Sequence, residues 1–297
     1  MSWCGGGVAC STVAELLPQA AAALAAVGID EARLEAELLL GFCLGIGRTE
    51  LYLAARETVD DQRQRHFSAL LRRRLNREPL AYITGEKEFW SLPFFVTPAV
   101  LIPRPETEFL LEMALARRNF ACRSGQWLDL CCGSGVIGVV LAREARRVVT
   151  AVDISAAALA VARVNCRRHG VLDRVALVQG DLVTCLRQRR LFSLIVANPP
   201  YIRRDDVDHR LEPEVARFEP RLALDGGASG MEVITAIASA LPDLLAPGGD
   251  CFMEIGEEQG NAVRTLFARA RPTIGYRFVE ILKDYAGRDR VVHIRAA

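Results

Sequence analysis

One repeating pattern governs the second half of the chain and fixes the class of fold open to it. From Gln126 onward, short runs of apolar and β-branched residues alternate with longer runs whose apolar positions recur at helical spacing. The strand-like runs fall at 127–130, 148–152, 175–178, 192–197 and 249–255, and helices are expected at 135–143, 155–169 and 231–245. Strand and helix in strict alternation imply a parallel sheet covered on both faces, because each crossover must pack back on the sheet it leaves. Two closing runs at 276–282 and 290–295 flank a turn at Tyr285-Ala286-Gly287, which makes the last pair antiparallel. The expectation is an α/β domain with a seven-stranded, mostly parallel, Rossmann-like sheet.

The first half has a different texture. Residues 11 to about 78 read as helices. Ser11 or Thr12 caps the first, with Glu15 placed for a capping box, and the apolar run from Val13 to Val27 stops at Gly28. Asp30 is the expected cap of the next, with Leu34, Leu38 and Leu39 on its apolar face, and Gly45 and Gly47 break it. Thr49 restarts a short helix. Another spans 59–76, carrying Phe67, Leu70, Leu71 and Leu75 on one face and Arg63, Arg65, Arg72, Arg73, Arg74 and Arg77 around it. Those arginines read as a solvated face or as a docking surface for an acidic or nucleic-acid-bearing partner. From Pro79 aromatic and β-branched residues between turn signals suggest a hairpin connector. Pro103-Arg104-Pro105-Glu106-Thr107-Glu108 then opens a helix through Arg117, with proline in its first turn and acids favoured by the helix dipole. The expected division is a helical domain at 1–78, a β-hairpin connector at 79–104 and the α/β domain at 105–297.

Composition excludes several classes. Hydrophobic residues make up 51% and charged residues 25%, enough for a sizeable core beneath an ordinary surface. No apolar run reaches the roughly 18 residues of a membrane span. The opening MSWCGGGVAC has no basic charge, reads as a frayed tail rather than a secretory signal, and leaves a cytoplasmic setting expected. A net charge of +1 gives no basic excess for bulk duplex nucleic acid, so no direct sequence-specific nucleic-acid binding is expected. Nine cysteines without a C-x-x-C pair, and four histidines without ligand spacing, read as reduced thiols and no metal site.

Three motifs carry chemistry. The first is DLCCGSGVIG at 129–138, where Asp129, Cys131, Cys132, Gly133, Ser134 and Gly135 follow an apolar strand and open a helix. Its glycines allow a tight turn and close approach of a ligand to the backbone. Asp153 ends the next strand about 20 residues later, as in a dinucleotide site, where it would hold a ribose diol. The ribose of S-adenosylmethionine suits the same carboxylate. Asp129 tips the choice: an acid before the glycine turn repels a pyrophosphate but helps hold the cationic methionine end of S-adenosylmethionine. The second motif, Gly180-Asp181-Leu182, offers an acceptor for the adenine amine and an apolar surface for its ring. The third, Asn198-Pro199-Pro200-Tyr201, ends the fourth strand, where open α/β sheets bind ligands. Two prolines fix the backbone and remove donors. The Asn198 side-chain oxygen and the Pro199 carbonyl are left as two acceptors able to grip both hydrogens of an NH2 group. That grip turns the nitrogen lone pair out of conjugation and toward a sulfonium methyl, with the Tyr201 ring stacked on the substrate.

With these motifs in this order, the chain resembles class I methyltransferases with an NPPY loop. More narrowly it is similar to the HemK/PrmC proteins. The likeness runs through the connector REPLAYITGEKEFW at 77–90, LIPRPETE at 101–108, NPPY, and the tail KDYAGRDR at 283–290. It implies S-adenosylmethionine as cofactor and methylation of N5 of the glutamine in the GGQ motif of class I peptide chain release factors. It also implies a helical domain that recognises the protein substrate. Catalysis is expected from Asn198, Pro199 and Tyr201, with Pro200 also binding substrate. Cofactor binding is expected from Asp129, Cys131, Cys132, Gly133, Ser134, Gly135, Asp153, Asp181, Leu182 and Asn198. Two departures stand out: Cys131-Cys132, where the family often has Gly-Thr, and Leu182, where some members carry Trp. Adenine-N6 methylation of nucleic acid and glutamine methylation of a ribosomal protein are the competing readings, and a dinucleotide-binding oxidoreductase is the alternative that gives NPPY no role.

Overall fold

The computed structural model describes residues 11–116, 125–186 and 191–297, with the side chains of 270–274 left aside. The glycine-bearing tail and the expected helix end at Arg117 lie outside the described residues. The chain divides into two compact units: one runs to Gly85 and includes Pro213–Phe218, and the other holds Glu86–Glu212 and Glu219–Ala297. The segment expected as a single connector at 79–104 is therefore shared between them.

The first unit is helical: α1 (Val13–Ala26), α2 (Ala32–Leu44), α3 (Arg48–Leu53), α4 (Asp61–Leu75) and α5 (Leu80–Thr84). Glu15 accepts the Thr12 N–H at 2.8 Å, closing the first turn of α1. Asp60 accepts the Arg63 N–H at 2.8 Å and starts α4. Asp30 does not cap α2: Glu31 stands at that position, without a side-chain cap. The buried face of α2 is Ala36, Leu39 and Leu40, while Leu38 is exposed. Alanines take the core positions there, so a count of leucines alone sets the stripe off register. The arginines on and just after α4 do not share one fate either. Arg74 is buried, donating to Glu35 at 2.5 Å and to Glu214 at 3.0 Å. Arg77 reaches Glu214 at 2.8 Å and also donates to the carbonyls of Val27 and Gly28. These two clasp Pro213–Phe218 into the helical unit, whereas Arg63 stays exposed beside Asp60.

The second unit begins with the hairpin β1 (Glu86–Phe89) and β2 (Leu92–Phe95), paired antiparallel. Trp90 and Ser91 have φ of 55° and 53°, the mirror-image turn that matches strand twist. Helix α6 (Pro105–Leu115) follows, with proline in its first turn. Then come β3 (Gln126–Leu130), α7 (Val136–Glu144), β4 (Val149–Asp153), α8 (Ala156–Arg168), β5 (Val175–Gln179) and β6 (Phe192–Ala197). The rest is α9 (Arg204–His209), α10 (Pro213–Phe218, in the helical unit), α11 (Glu232–Leu244), β7 (Leu245–Glu254), α12 (Gly260–Ile274), β8 (Tyr276–Lys283) and β9 (Asp289–Ala296). The short helices α5, α9 and α10, and the longer α12, have no counterpart among the expected elements, and α5 stands where the connector is expected to be strand-rich. Val263 and Phe267, both fully buried at i and i+4, are the signal that marks α12.

The seven strands lie in the order β5-β4-β3-β6-β7-β9-β8, parallel except for β9, which runs antiparallel to both neighbours. Alternation along β3 sorts side chains between two cores. Trp127 packs on one face with α6, α7 and α8, and Leu128 and Leu130 pack on the other with α11 and α12. The chain leaves β3 toward β4 and β5 and returns on the opposite side of β3 as β6. That reversal opens a crevice beyond the carboxyl ends of β3 and β6.

Candidate active site

Strand register carries the motifs to one edge. Leu130 pairs with Val152 on one side and with Ala197 on the other, so Cys131, Asp153 and Asn198 leave the sheet side by side. Asp153 pairs with Gln179, which sets Gly180, Asp181 and Leu182 next along the edge. Ala197 pairs with Met253, so Asn198 and Glu254 emerge together from β6 and β7.

A cavity opens at this edge. Its wall includes Cys131, Cys132, Gly133, Ser134, Asp153, Asp181, Leu182, Asn198 and Pro200. Thr107, Arg104 and the apolar side chains of Val152, Ile154, Leu222 and Val233 also line it. Asp129, Gly135, Pro199 and Tyr201 are not part of the wall. Gly133 has φ of 53°, and a Cβ placed on it would meet nothing within 4 Å, so the turn presents bare backbone to the cavity. Gly135, at φ of 80°, leaves little room for a side chain: a Cβ placed there would sit 3.0 Å from the Ala162 Cβ on α8. Cys131 has φ of 61°, a left-handed conformation that suits glycine, so its side chain is carried there under strain. Burial, followed by the nearby Asp153, Asp129 and Asp181, pushes the Cys131 thiol far above its ordinary pKa. It is a wall, not a nucleophile.

The two acids of the glycine turn differ. Asp153 Oδ2 accepts the Gly133 N–H at 2.8 Å and Oδ1 accepts the Ser155 N–H at 2.8 Å. Burial raises its pKa while these backbone donors pull it down. Each oxygen retains a lone pair for a hydroxyl donor. Asp129 lies beneath the turn, fully buried, its Oδ2 accepting the Gly138 N–H of α7 at 2.8 Å. Its Oδ1 is buried without a hydrogen-bond partner among the described residues. Asp129 thus braces the start of α7, a task the sequence alone did not assign it.

The NPPY end is held by side chains. Asn198 Nδ2 donates to Thr107 Oγ1 at 3.0 Å. Thr107, on α6, donates in turn to Glu254 Oε2 at 2.8 Å. The Tyr201 hydroxyl donates to Glu254 Oε1 at 3.0 Å. Thr107 and Glu254 are buried, at 3% and 1% exposure, so little water competes for these bonds. Burial raises the Glu254 pKa, opposed by the Thr107 and Tyr201 donors and by Arg290. Neither Thr107 nor Glu254 was singled out from sequence. One signal was available: a lone acid closing the apolar run Cys251-Phe252-Met253-Glu254. A third unforeseen residue is Asn165 on α8, fully buried. It accepts the Phe95 N–H at 2.8 Å and donates to the carbonyls of Phe95 and Ser134, each at 2.9 Å, tying the hairpin to the glycine turn.

Comparison with known proteins shows the family. The PrmC N-terminal domain model matches residues 15–85, and the methyltransferase small domain model matches residues 105–228. The release factor glutamine methyltransferase of Moorella thermoacetica is 44% identical over 280 residues, covering 94% of this chain and 96% of its own. That of Escherichia coli is 40% identical over 264 residues, covering 88% and 91%. The chain belongs to the release factor glutamine methyltransferase family. A methyltransferase crystal structure from Pyrococcus furiosus, at 19% identity, has a TM-score of 0.50 and covers 70% of this chain and 90% of its own, a likeness of fold alone. This family member is a methyltransferase, and its cofactor is S-adenosylmethionine. The cavity suits that cofactor. Asp153 and Asp181 put carboxylates on the wall, Arg104 is held by the buried acid Glu219, and the remaining surface is largely apolar. Such a lining favours a cationic sulfonium with a ribose diol and an adenine ring, and disfavours a pyrophosphate. No helix among the described residues is long and apolar enough to cross a membrane.

Proposed function

We propose that this protein transfers a methyl group to N5 of the glutamine in the GGQ motif of class I peptide chain release factors, in the cytoplasm. The orientation of Asn198 carries the reading: its NH2 is engaged by Thr107, so its carbonyl oxygen remains an acceptor at the cavity wall. Pro199 and Pro200 carry no N–H groups, so no backbone donor at those positions competes for that oxygen or for the Pro199 carbonyl. Together these acceptors grip both hydrogens of a side-chain amide. An amide nitrogen is a poor nucleophile because its lone pair is shared with the carbonyl, and fixing both N–H bonds turns the lone pair outward. S-adenosylmethionine, when bound, supplies the electrophilic methyl. Asp153 holds its ribose hydroxyls, and Asp181 and Leu182 take the adenine. Tyr201 fixes the loop through its hydroxyl.

The names of the relatives favour a release factor over adenine in nucleic acid. Label transfer from the cofactor tests the substrate. A purified release factor is expected to accept label, and its GGQ glutamine-to-alanine variant to accept none; equal labelling of both refutes the reading. Recognition of that protein is assigned to the helical unit, because the cavity wall lies wholly outside it. A chain beginning at Glu86 is expected to bind cofactor but hold release factor poorly, and undiminished methylation by it would remove that assignment.

A further inference from the structure

We propose that Thr107 and Glu254 act as positioning residues, forming a hydrogen-bond relay that dictates which end of the Asn198 amide faces the substrate. The inference rests on the reading of Asn198 as an acceptor for the glutamine NH2, and it supplies what that reading lacks. A side-chain amide is nearly symmetric in shape, so packing alone does not choose between its oxygen and its nitrogen. With the nitrogen outward, Asn198 would present donors to a substrate group that is itself a donor, and the grip would fail.

The choice is made by counting hydrogens. A carboxylate has none to give, so the Glu254 oxygens only accept. One takes the Tyr201 hydroxyl at 3.0 Å and the other takes the Thr107 hydroxyl at 2.8 Å. The Thr107 hydroxyl owns a single hydrogen. Once that is given to Glu254, its oxygen can only accept from Asn198, which must turn its NH2 inward, as found at 3.0 Å. The polarity is set at a carboxylate almost fully enclosed by protein and is transmitted through one hydroxyl to the amide. Three distant stretches of chain meet in it: the first turn of α6, the end of β6 and the end of β7. The threonine of PRPETE thereby acquires a chemical task.

Thr107→Val keeps the shape of the side chain and deletes the hydroxyl, and Thr107→Ser keeps the hydroxyl. Single-turnover methylation of a release factor should slow by about tenfold or more in Thr107→Val, about the worth of one aligned hydrogen bond. Cofactor affinity by calorimetry should stay within about twofold, because Thr107 contributes only one side chain to the wall, and Thr107→Ser should recover most of the rate. Wild-type speed in Thr107→Val, or equal loss in Thr107→Ser, overturns the relay. So does a loss that appears equally in cofactor affinity, which would mark a structural defect. Glu254→Gln gives a second readout if Thr107→Val does not fold. An amide at that position can donate to Thr107 and permits the reversed polarity. Binding of a release factor whose GGQ glutamine is replaced by glutamate should then strengthen relative to the native factor, compared with the same ratio in the wild-type enzyme. An unchanged ratio contradicts the relay. Wild-type enzyme that leaves the native glutamine unmodified removes the substrate reading, and the relay with it, whatever the variants do.

Discussion

The two halves of the cavity edge are built by different means. On the side of β3 and β4, the two acids of the glycine turn are anchored by the main chain. Asp153 is held by the N–H groups of Gly133 and Ser155, and Asp129 by that of Gly138. On the side of β6 and β7, Asn198, Thr107, Glu254 and Tyr201 hold one another by side chains alone. Backbone anchors come with the fold and survive many substitutions nearby. A side-chain relay fails when one member changes, but it sets a polarity that the backbone cannot set. The cofactor side therefore needs geometry, and the acceptor side needs geometry and direction.

The sharpest way to break the comparison is Asn198→Ala. It deletes one of the two acceptors and leaves the backbone-anchored side untouched. Single-turnover rate should fall by about a hundredfold or more, the scale of a lost alignment in the transition state, with little change in cofactor affinity. Parallel losses in rate and affinity would show that the two sides are not separable. The converse variant, Asp153→Ala, should weaken S-adenosylmethionine by about 1.5–3 kcal/mol through lost charge-assisted hydrogen bonds, read by calorimetry. Unchanged affinity would take Asp153 out of the site. Tyr201→Phe is a smaller perturbation. The ring remains, but Glu254 Oε1 loses the hydroxyl donor it takes from Tyr201, which should cost about 1–2 kcal/mol in denaturant unfolding and slow transfer only a few-fold. If stability does not move, that hydroxyl is not part of the support. Smallest of all is Cys131→Gly. Relief of a left-handed cysteine, roughly 1–2 kcal/mol, is about half offset by about 0.5–1 kcal/mol of added chain entropy in the unfolded state. A slight gain in melting temperature is expected, and a clear loss would mean that the thiol packs better than its backbone suggests.

This contrast also explains what could be read from sequence. The strands from β3 to β9 were legible because apolar periodicity is local, and the motifs were legible because each ends a strand. The sheet then does the gathering: once Leu130 pairs with both Val152 and Ala197, Cys131, Asp153 and Asn198 must be neighbours. The relay was not legible, since Thr107 lies 91 residues from Asn198 and 147 from Glu254, and no local pattern links such positions. Asp129 was noticed for its charge, but the backbone partner that occupies it is a property of the folded turn. The arginines on and just after α4 were visible as a cluster. That Arg74 and Arg77 are taken up by Glu214, more than 130 residues away, follows only from the folded helical unit.

The most direct measurement is mass spectrometry of a class I release factor after incubation with the enzyme and S-adenosylmethionine, with fragmentation to place the modification. The expected result is a single methyl group on the side-chain nitrogen of the GGQ glutamine. A methyl group on any other residue, or an unmodified glutamine under conditions where the enzyme demonstrably binds its cofactor, would contradict it.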